Sequence, residues 1–333
     1  MKFGPRPVAE AAGTILAHSI SLPDGRLRKG ASLGTAEIAR LQAAGLTEII
    51  VAAPDTGDID ENEAADRLAR ALVPDPAAVG LRRTDAFTGR VNLIAESPGV
   101  VVVDADAIDR FNAVNPMITV ATLAPFQQVA PGNMVATVKI IAYAVPDADV
   151  DAAIATATNA IRVAPPAHAS AGLVVTSIPG GPDDAKGIRV IGERLTALGL
   201  TLDGVETVPH RTPDLAAALG RAPGDMVLIL TGSATSDPND VAPSAVRAAG
   251  GMVTRFGMPV DPGNLLFLGD LGPRPVIGLP GCARSPALNG ADWVLSRVAC
   301  GIAVSAADIA GMGVGGLLKE IPTRSQPRAG RKR

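Results

Sequence analysis

From residue 172 onward, short apolar runs alternate with segments of helical composition. Continuous apolar runs without polar alternation are typical of strands in a parallel sheet that is covered on both faces. The pattern predicts strands at 172–178, 201–208, 225–231, 264–269 and 274–280. It predicts helices at 183–199, with Asp183 and Asp184 at its start, and at 212–220, 242–251 and 285–301. We therefore expect an α/β fold, a three-layer α/β/α domain with a mainly parallel sheet.

The first half of the chain contains both strand-like and helix-like segments. Strands are predicted at 47–53, 89–104 and 134–145, and helices at 34–45 and 149–164. Thr35 is expected to cap the first of these helices and Gly45 to end it. Pro165 and Pro166 are followed by small residues, a sequence that cannot continue a helix and suits a linker. The predicted organisation is a mixed α+β domain at 1–165, the α/β domain at 166–321, and a basic, disordered tail at 322–333.

Composition narrows the possible partners. Hydrophobic residues make up 47% of the 333 residues and aromatic residues only 2%, so the cores must consist of aliphatic side chains. The net charge is −3, and five positive charges lie in the last ten residues, which leaves about −8 for the rest. A body with that charge and few stacking aromatics is a poor nucleic-acid binder. We therefore expect no nucleic-acid partner.

Cysteine usage and hydropathy give two further expectations. Cys282 and Cys300 form no C-x-x-C pair, so neither a disulfide framework nor a zinc site is supported. The first residues lack an apolar signal core, and no segment has 18 uninterrupted apolar residues. We expect a cytoplasmic protein without a membrane partner.

Candidate chemistry lies where predicted strands end. Ligands of open α/β sheets bind outside the carboxyl ends of the strands, and three of these ends continue into loops of small residues. Glycine allows close approach of the backbone to a ligand, and backbone N–H groups that lead into a helix suit a phosphate. The predicted ligand-binding residues are Pro179, Gly180, Gly181, Thr231, Gly232, Ser233, Ala234, Thr235, Ser236, Pro280, Gly281, Cys282, Arg284 and Ser285.

Two of these loop positions carry specific expectations. We expect Gly232→Val to abolish ligand binding with little loss of stability, because the side chain would fill space meant for a phosphate. Asp240 precedes a predicted helix, where it could cap the helix, bind a metal ion such as Mg²⁺, or accept a proton. We predict that Asp240 is a catalytic or metal-binding residue, with the helix cap as the alternative.

The residues in these loops resemble a known family. "LTGSATSDPNDVAPSA" is similar to the signature T-G-G-T/S-x-x-x-P-x-D-V-T-P-E-A of the molybdenum-cofactor biosynthesis domain family. Pro262, Gly263 and the segment "LPGCARS" resemble the later P-G-K-P and L-P-G-N-P-x-S-A segments of molybdotransferases. Residues 27–51 also resemble the stretch that precedes this domain in those proteins.

The resemblance implies a molybdopterin-binding protein that handles this pterin, or its nucleotide-linked form, by adenylyl or molybdate transfer. It implies molybdopterin as ligand, with Mg²⁺ at Asp240, and possible partners among other molybdenum-cofactor enzymes; we also expect a homo-oligomer. The chain departs from molybdotransferases at residues 176–180, where they carry T-G-D-E-L, and at Asn264, where they carry lysine. Two alternatives therefore stay open: a non-catalytic carrier or sensor, and a nucleotide pyrophosphatase of the competence/damage-inducible type.

Three other features have ordinary interpretations beside functional ones. His210 follows a predicted strand and is either a surface residue or an acid–base group that lines the site. Ser285 lacks the surroundings of a nucleophile and is expected to cap a helix. The acidic residues within 55–63 are expected to form a solvated helix start, with a divalent-ion site as the alternative.

Overall fold

The computed structural model describes residues 1–318, so the predicted tail at 322–333 and the last residues of the predicted second domain lie outside the described residues. The chain forms two compact units. The first comprises Met1–Ser97, Val101–Pro125 and Pro131–Val163, and the second comprises Pro98–Val100, Phe126–Ala130 and Ala164–Arg333. The long final segment of the second unit therefore begins at residue 164, two residues before the expected boundary. Two short earlier segments of the chain also belong to the second unit. Within residues 1–318, no helix has the length and apolar character needed to cross a membrane.

Up to residue 164 the chain forms fourteen strands and four α-helices among the described residues. The strands are β1 Lys2–Pro7, β2 Ile15–Leu16, β3 Ile20–Leu22, β4 Gly25–Leu27, β5 Glu48–Ala53, β6 Asp58–Asp60, β7 Leu81–Arg83, β8 Arg90–Ala95, β9 Gly99–Val103, β10 Ile118–Thr122, β11 Gln128–Val129, β12 Met134–Ile140, β13 Ala144–Pro146 and β14 Ile161–Ala164. The helices are α1 Thr35–Ala43, α2 Glu61–Leu72, α3 Ala105–Val114 and α4 Asp147–Thr156.

The main sheet of the first unit is antiparallel, with the strand order β10-β12-β8-β7. Successive side chains of a strand point to opposite faces, so one face carries Val91, Leu93 and Val138, which are at most 1% exposed. Helix α2 packs against β8 and β12, and α3 against β10. The other face carries polar side chains, and we call it the polar face; it includes Arg90, Asn92, Thr119, Thr137 and Lys139.

Two helix predictions in the first half are corrected at their ends. Thr35 is not the cap of α1, because Gly34 holds that position and the Glu37 side chain accepts a hydrogen bond from the Gly34 N–H. Helix α4 ends at Thr156 instead of continuing to residue 164, and β14 follows. The β-branched residues of β14 favour an extended chain, which explains why helical composition alone overran the true end.

After residue 164 the chain forms six strands and five α-helices among the described residues. The strands are β15 Ser170–Ser177, β16 Thr201–Pro209, β17 Met226–Leu230, β18 Met252–Phe256, β19 Phe267–Leu271 and β20 Arg274–Leu279. The helices are α5 Asp184–Ala197, α6 Thr212–Arg221, α7 Val241–Ala248, α8 Gly290–Ala299 and α9 Ala306–Gly311. The six strands form one sheet in the order β16-β15-β17-β20-β19-β18.

The sheet is mostly parallel, as the apolar runs predict. Strands β16, β15, β17 and β20 are parallel, whereas β19 and β18 join antiparallel. Strand β17 is buried throughout, and its alternate residues enter two core clusters. Leu228 packs in the cluster that contains residues of α5 and α8, and Val227 in the cluster that contains residues of α6 and α7.

The prediction for the last long helix is wrong at its start. Helix α8 begins at Gly290 instead of 285, because Asn289 caps it by accepting from the Ala291 N–H, and Asp292 accepts from the Asn289 N–H. A short 3-10 helix at Gly281–Arg284 occupies the preceding residues. Strand β18, an edge strand, was not predicted from the sequence.

Candidate functional site

The three predicted loops follow neighbouring strands of the second unit. Val175 of β15 is opposite Leu230 of β17, and Leu230 is opposite Leu279 of β20, so the three parallel strands end at one edge of the sheet. The loops after these strands, at 178–183, 231–240 and 280–285, therefore all lie at the carboxyl edge. This agrees with the predicted common edge for positions 180, 232 and 281.

The strand order identifies the part of this edge where a ligand fits best. After β15 the chain passes through α5 to β16, which lies beside β15 on the side away from β17. After β17 it passes through α7 to β18, which lies on the side of β17 away from β15. Helices α5 and α7 contribute to different core clusters. Adjacent strands whose connections leave in opposite directions form a topological switch point, where open α/β sheets bind ligands. The loops after β15 and β17 flank this point.

Gly232 approaches the protein's own backbone. A Cβ atom at this position would lie 2.5 Å from the Thr176 carbonyl oxygen and 3.2 Å from the Ile178 nitrogen. The Gly232 N–H also donates to the Thr176 hydroxyl at 3.0 Å. The expectation that Gly232→Val would leave stability unchanged is therefore wrong, because the glycine is required for the packing of this loop on the end of β15.

Thr176 also connects this loop to His210. Its hydroxyl lies 2.8 Å from His210 Nδ1, and the side chain of Thr176 is fully buried. A hydroxyl that accepts from Gly232 N–H can donate to an unprotonated Nδ1, which leaves Nε2 as the protonated ring nitrogen. Sequence reasoning considered His210 but missed Thr176, whose role depends on contacts with residues 34 and 56 positions away.

Asp240 acts as a helix cap and as a brace for its own loop. Its carboxylate accepts from the Val241 N–H at 2.7 Å, at the start of α7, and from the Ser236 N–H at 3.0 Å. The Thr231 hydroxyl donates to the Ser233 carbonyl at 2.6 Å, which adds a second internal bond. The loop is therefore held in shape by its own side chains.

Both helix N-termini beside the switch point already carry a carboxylate. Asp183 accepts from the Ala185 and Lys186 N–H groups at the start of α5, and Asp240 caps α7. These carboxylates offset the positive ends of the two helices, so an anion at either helix end would meet an existing negative charge. Within residues 1–318, the backbone N–H groups of Gly180, Ser233 and Ala234 have no hydrogen-bond partner. These loop amides are the donors that a ligand can reach.

Arg284 ties the loops together. One guanidinium nitrogen donates to the Thr231 carbonyl at 3.0 Å, and another lies 3.2 Å from the Asp184 carboxylate and 3.4 Å from the Asp183 carbonyl. The side chain is 12% exposed, and a Cβ on Gly187 in α5 would lie 2.8 Å from it. Its terminal donors thus face inward, toward the ends of β17 and α5, and organise the site from beneath.

The segment 280–285 is fixed from the other side by Arg194 of α5. This guanidinium donates to the carbonyl oxygens of Ala283 and Ser285, and pairs with Asp292 at 2.5 Å. Ser285 does not cap α8, contrary to the expectation; its hydroxyl accepts from Ala287 N–H at 3.3 Å. Burial raises the pKa of the Cys282 thiol, so this cysteine is not an activated nucleophile.

The predicted ligand residues divide into an accessible and a structural group. Thr231, Gly232, Thr235 and Pro280 are buried. The remaining residues are exposed or half-buried: Pro179, Gly180, Gly181, Ser233, Ala234, Ser236, Gly281, Cys282, Arg284 and Ser285. The accessible surface therefore consists mainly of the tips of the loops after β15 and β17, with Gly281 beside them.

Carboxylates at the predicted metal positions are used in other contacts. Across residues 1–318, no three His, Cys, Asp or Glu side chains are grouped so that they could hold a metal ion. Asp240 is therefore not one of three such ligands grouped around a common point. In the acidic segment 55–63, Asp60 caps α2 by accepting from the Asn62 N–H, as expected for a helix start.

Comparisons with known proteins give one family match and several likenesses in structure. A family model described as a domain of unknown function, DUF8806, matches residues 5–53. No curated protein matches the chain by sequence. The chain is similar to a molybdopterin biosynthesis MoeA protein from Pyrococcus horikoshii, with 14% identity, a TM-score of 0.32, and coverage of 90% of this chain and 75% of that one.

Two further solved structures have lower scores. A molybdenum cofactor biosynthesis protein B shares 17% identity over 40% of this chain and 88% of its own, with a TM-score of 0.28. A molybdenum cofactor biosynthesis protein from Pyrococcus furiosus shares 11% identity over 93% of this chain and 65% of its own, with a TM-score of 0.24.

Proposed function

We propose that the second unit binds a phosphorylated pterin at the carboxyl edge of its sheet, and that the protein takes part in molybdenum-cofactor biosynthesis. The ligand would be molybdopterin or its nucleotide-linked form, held on a three-layer α/β/α domain. The observation that carries the proposal is the pair of loops at the switch point, whose tips present the N–H groups of Gly180, Ser233 and Ala234, which have no hydrogen-bond partner among residues 1–318.

The chemistry of these tips supports a phosphate-bearing ligand. Successive backbone N–H groups form concave sites for anions, and small side chains let the ligand approach them closely. The loop 231–240 is braced internally by Thr231 and Asp240, so the donors are held in place before a ligand arrives. Preorganised donors reduce the conformational entropy that binding would otherwise cost. The resemblance of residues 230–245 to the molybdenum-cofactor signature supports the pterin as the ligand.

The carrier or sensor is the second candidate, and the contacts of Asp240 favour it over a metal-dependent transferase. Its carboxylate already accepts two backbone N–H groups, and within the described residues it belongs to no group of three His, Cys, Asp or Glu side chains that could hold a metal ion. In this proposal Asp240 fixes the loop and the helix, Arg284 fixes the neighbouring segment, and the site binds its ligand without changing it. A catalytic or metal-binding Asp240 stays the rival proposal.

A charge substitution at Ser233 tests the site. Ser233 is exposed, so Ser233→Asp and Ser233→Asn both fit, but only the aspartate places a negative charge beside the proposed phosphate. We expect Ser233→Asp to weaken binding at least tenfold, or about 1.4 kcal/mol, and Ser233→Asn to change it by less than about threefold. The readout is mass spectrometry of the pterin that co-purifies from a molybdenum-replete host, followed by titration with the purified ligand.

The same preparations separate the rival functions. Binding without turnover of molybdopterin supports the carrier, whereas adenylyl or molybdate transfer supports an enzyme. Hydrolysis of ADP-ribose without pterin binding supports the nucleotide pyrophosphatase. Equal ligand content in Ser233→Asp and the unmodified protein would contradict the proposed position of the phosphate.

A further inference from the structure

A second candidate site lies on the polar face of the first unit. A depression of about 450 Å³ opens there, and its lining includes Asp85, Phe87, Thr88, Arg90, Asn92 and Lys139. The volume lies within the range of small-molecule sites, which is about 300–1,000 Å³. All these residues belong to the first unit, so the inference does not depend on the proposed function.

Two positive charges face each other in this depression. Arg90 of β8 is directly opposite Lys139 of β12, and the Ile140 N–H bonds to the Gly89 carbonyl, which makes Arg90 and Lys139 a non-hydrogen-bonded pair. Side chains are closest in such pairs, and like charges at directly opposite positions destabilise a sheet. Neither side chain has an ion-pair partner within 4.0 Å among residues 1–318. An anion between them would relieve this repulsion.

An acid beneath the hairpin, Glu61, interacts with the charge of Lys139. Glu61 lies beneath the hairpin, where a Cβ on Gly89 would be 2.8 Å from its carboxylate. Burial raises the pKa of Glu61, although the charge of Lys139 acts in the opposite direction. The Lys139 ammonium instead donates to the Thr88 carbonyl oxygen, which fixes its position at the rim of the depression.

The hairpin that forms the rim is a tight turn that carries an exposed ring. Thr88 has a φ of 47° and Gly89 a φ of 66°, and positive φ at both central residues is the conformation of the favoured two-residue hairpin turn. A β-branched residue such as Thr88 rarely adopts a positive φ, whereas glycine adopts it freely. Phe87 is 76% exposed, in a chain with only 2% aromatic residues. An aromatic ring left in water beside two cations is available to stack on a planar ligand.

Unsatisfied polar atoms lie beneath the charged pair. Asn92 Oδ1 and Thr137 Oγ1 are buried and have no hydrogen-bond partner among the described residues, and the two side chains are directly opposite each other on the polar face. Buried polar atoms without partners are rare in native proteins and mark places that structural packing alone does not explain.

We propose that this depression binds a small ligand of the mononucleotide class, with its phosphate between Arg90 and Lys139 and its planar ring on Phe87. Arginine and lysine form short, charge-assisted hydrogen bonds to phosphate oxygens. An aromatic side chain stacks on any base with little sequence preference. Asp85 has no ion-pair partner within 4.0 Å among residues 1–318, and its carboxylate can accept from an amino group on the ring. The lining therefore matches a phosphate, a ring and an amino group together.

Calorimetric titration of the full chain with GMP, AMP, ribose 5-phosphate and inorganic phosphate tests this site at fixed ionic strength. We expect GMP or AMP to bind at least tenfold more tightly than ribose 5-phosphate, which lacks the ring. Phe87→Ala should remove this difference, and Arg90→Gln should weaken all the phosphate ligands at least tenfold. Arg82→Gln is the matched control, because Arg82 is an exposed arginine of β7 near Glu96 and does not line the depression.

A second measurement separates a binding role from a structural one. If Arg90 and Lys139 repel each other, Arg90→Gln should raise the melting temperature of the free protein while it weakens binding; a lower melting temperature would contradict the repulsion. The proposal is overturned if none of the four ligands binds, or if Phe87→Ala and Arg90→Gln bind GMP and AMP as the unmodified protein does.

Discussion

Gly232 has no room for a side chain, so Gly232→Ala directly tests the packing of the loop after β17. The added Cβ would lie 2.5 Å from the Thr176 carbonyl oxygen and 3.3 Å from Ser177 Cα, and both are backbone atoms that cannot rotate away. Relief requires the loop to move from the end of β15, which stretches the 3.0 Å bond from the Gly232 N–H to the Thr176 hydroxyl. Overpacking of this kind costs about 1–3 kcal/mol. We expect a loss of about 2 kcal/mol.

Urea unfolding followed by tryptophan fluorescence measures this loss in the correct unit. Trp293 is the only tryptophan of the chain, and it packs against the core of the second unit. With a denaturant slope of about 2 kcal/mol per M, a loss of about 2 kcal/mol lowers the midpoint by about 1 M. Gly281→Ala is the matched control, because no atom lies within 4 Å of its added Cβ and the midpoint should stay unchanged. Equal midpoints for Gly232→Ala and the unmodified protein would refute the close contact.

Substitutions at three further residues, Asp240, Arg284 and Cys300, test other contacts of the structure. Asp240→Asn should cost little stability, because asparagine and aspartate cap helices about equally well. Asp240→Ala should cost about 1 kcal/mol in the same assay. If Asp240→Asn keeps its stability but loses any measured turnover, Asp240 has a chemical role. Arg284→Met should cost about 3 kcal/mol, because it removes the donors to Thr231 and leaves Asp184 unpaired; a neutral result would contradict its inward contacts. Burial raises the pKa of Cys300 to about 11 from an ordinary value of 9.0. The unfolded thiol therefore ionises first, so stability that is full below pH 9 should fall by about 2–3 kcal/mol as pH rises through 11, and Cys300→Ala should lack this fall.

Sequence reasoning worked where the information is local. Strand β17 is apolar at every position from Met226 to Leu230, and the whole strand is buried, as predicted. Helix α5 starts beside Asp183, as predicted, because a capping side chain acts within two or three residues of its own position. The same rule failed at α8, where Ser285 and Asn289 are both suitable caps. The 3-10 helix at Gly281–Arg284 and the pair of Asn289 with Asp292 decide between them.

The contacts that shape the site depend on distant partners and could not be predicted. The sequence suggested that Gly232 makes room for a ligand, but its close neighbour is Thr176, which is 56 residues away. The hydrogen bond between Thr176 and His210 and the inward contacts of Arg284 are also long-range. The small residues of the loop indicate that its backbone approaches another group closely. Only the register of β15 and β17 shows that this group is the end of β15.

The two proposed sites recognise phosphate by different physical means. At the carboxyl edge of the second unit, Asp183 and Asp240 occupy the helix N-termini, so the positive ends of α5 and α7 are already compensated. A phosphate there relies on uncharged loop N–H groups, and its affinity should change little with salt. On the polar face of the first unit, Arg90 and Lys139 supply full charges near the surface, which salt screens over about 10 Å at 0.1 M. The salt dependence of a bound phosphate ligand therefore distinguishes the two sites, because only the charged pair loses affinity as ionic strength rises.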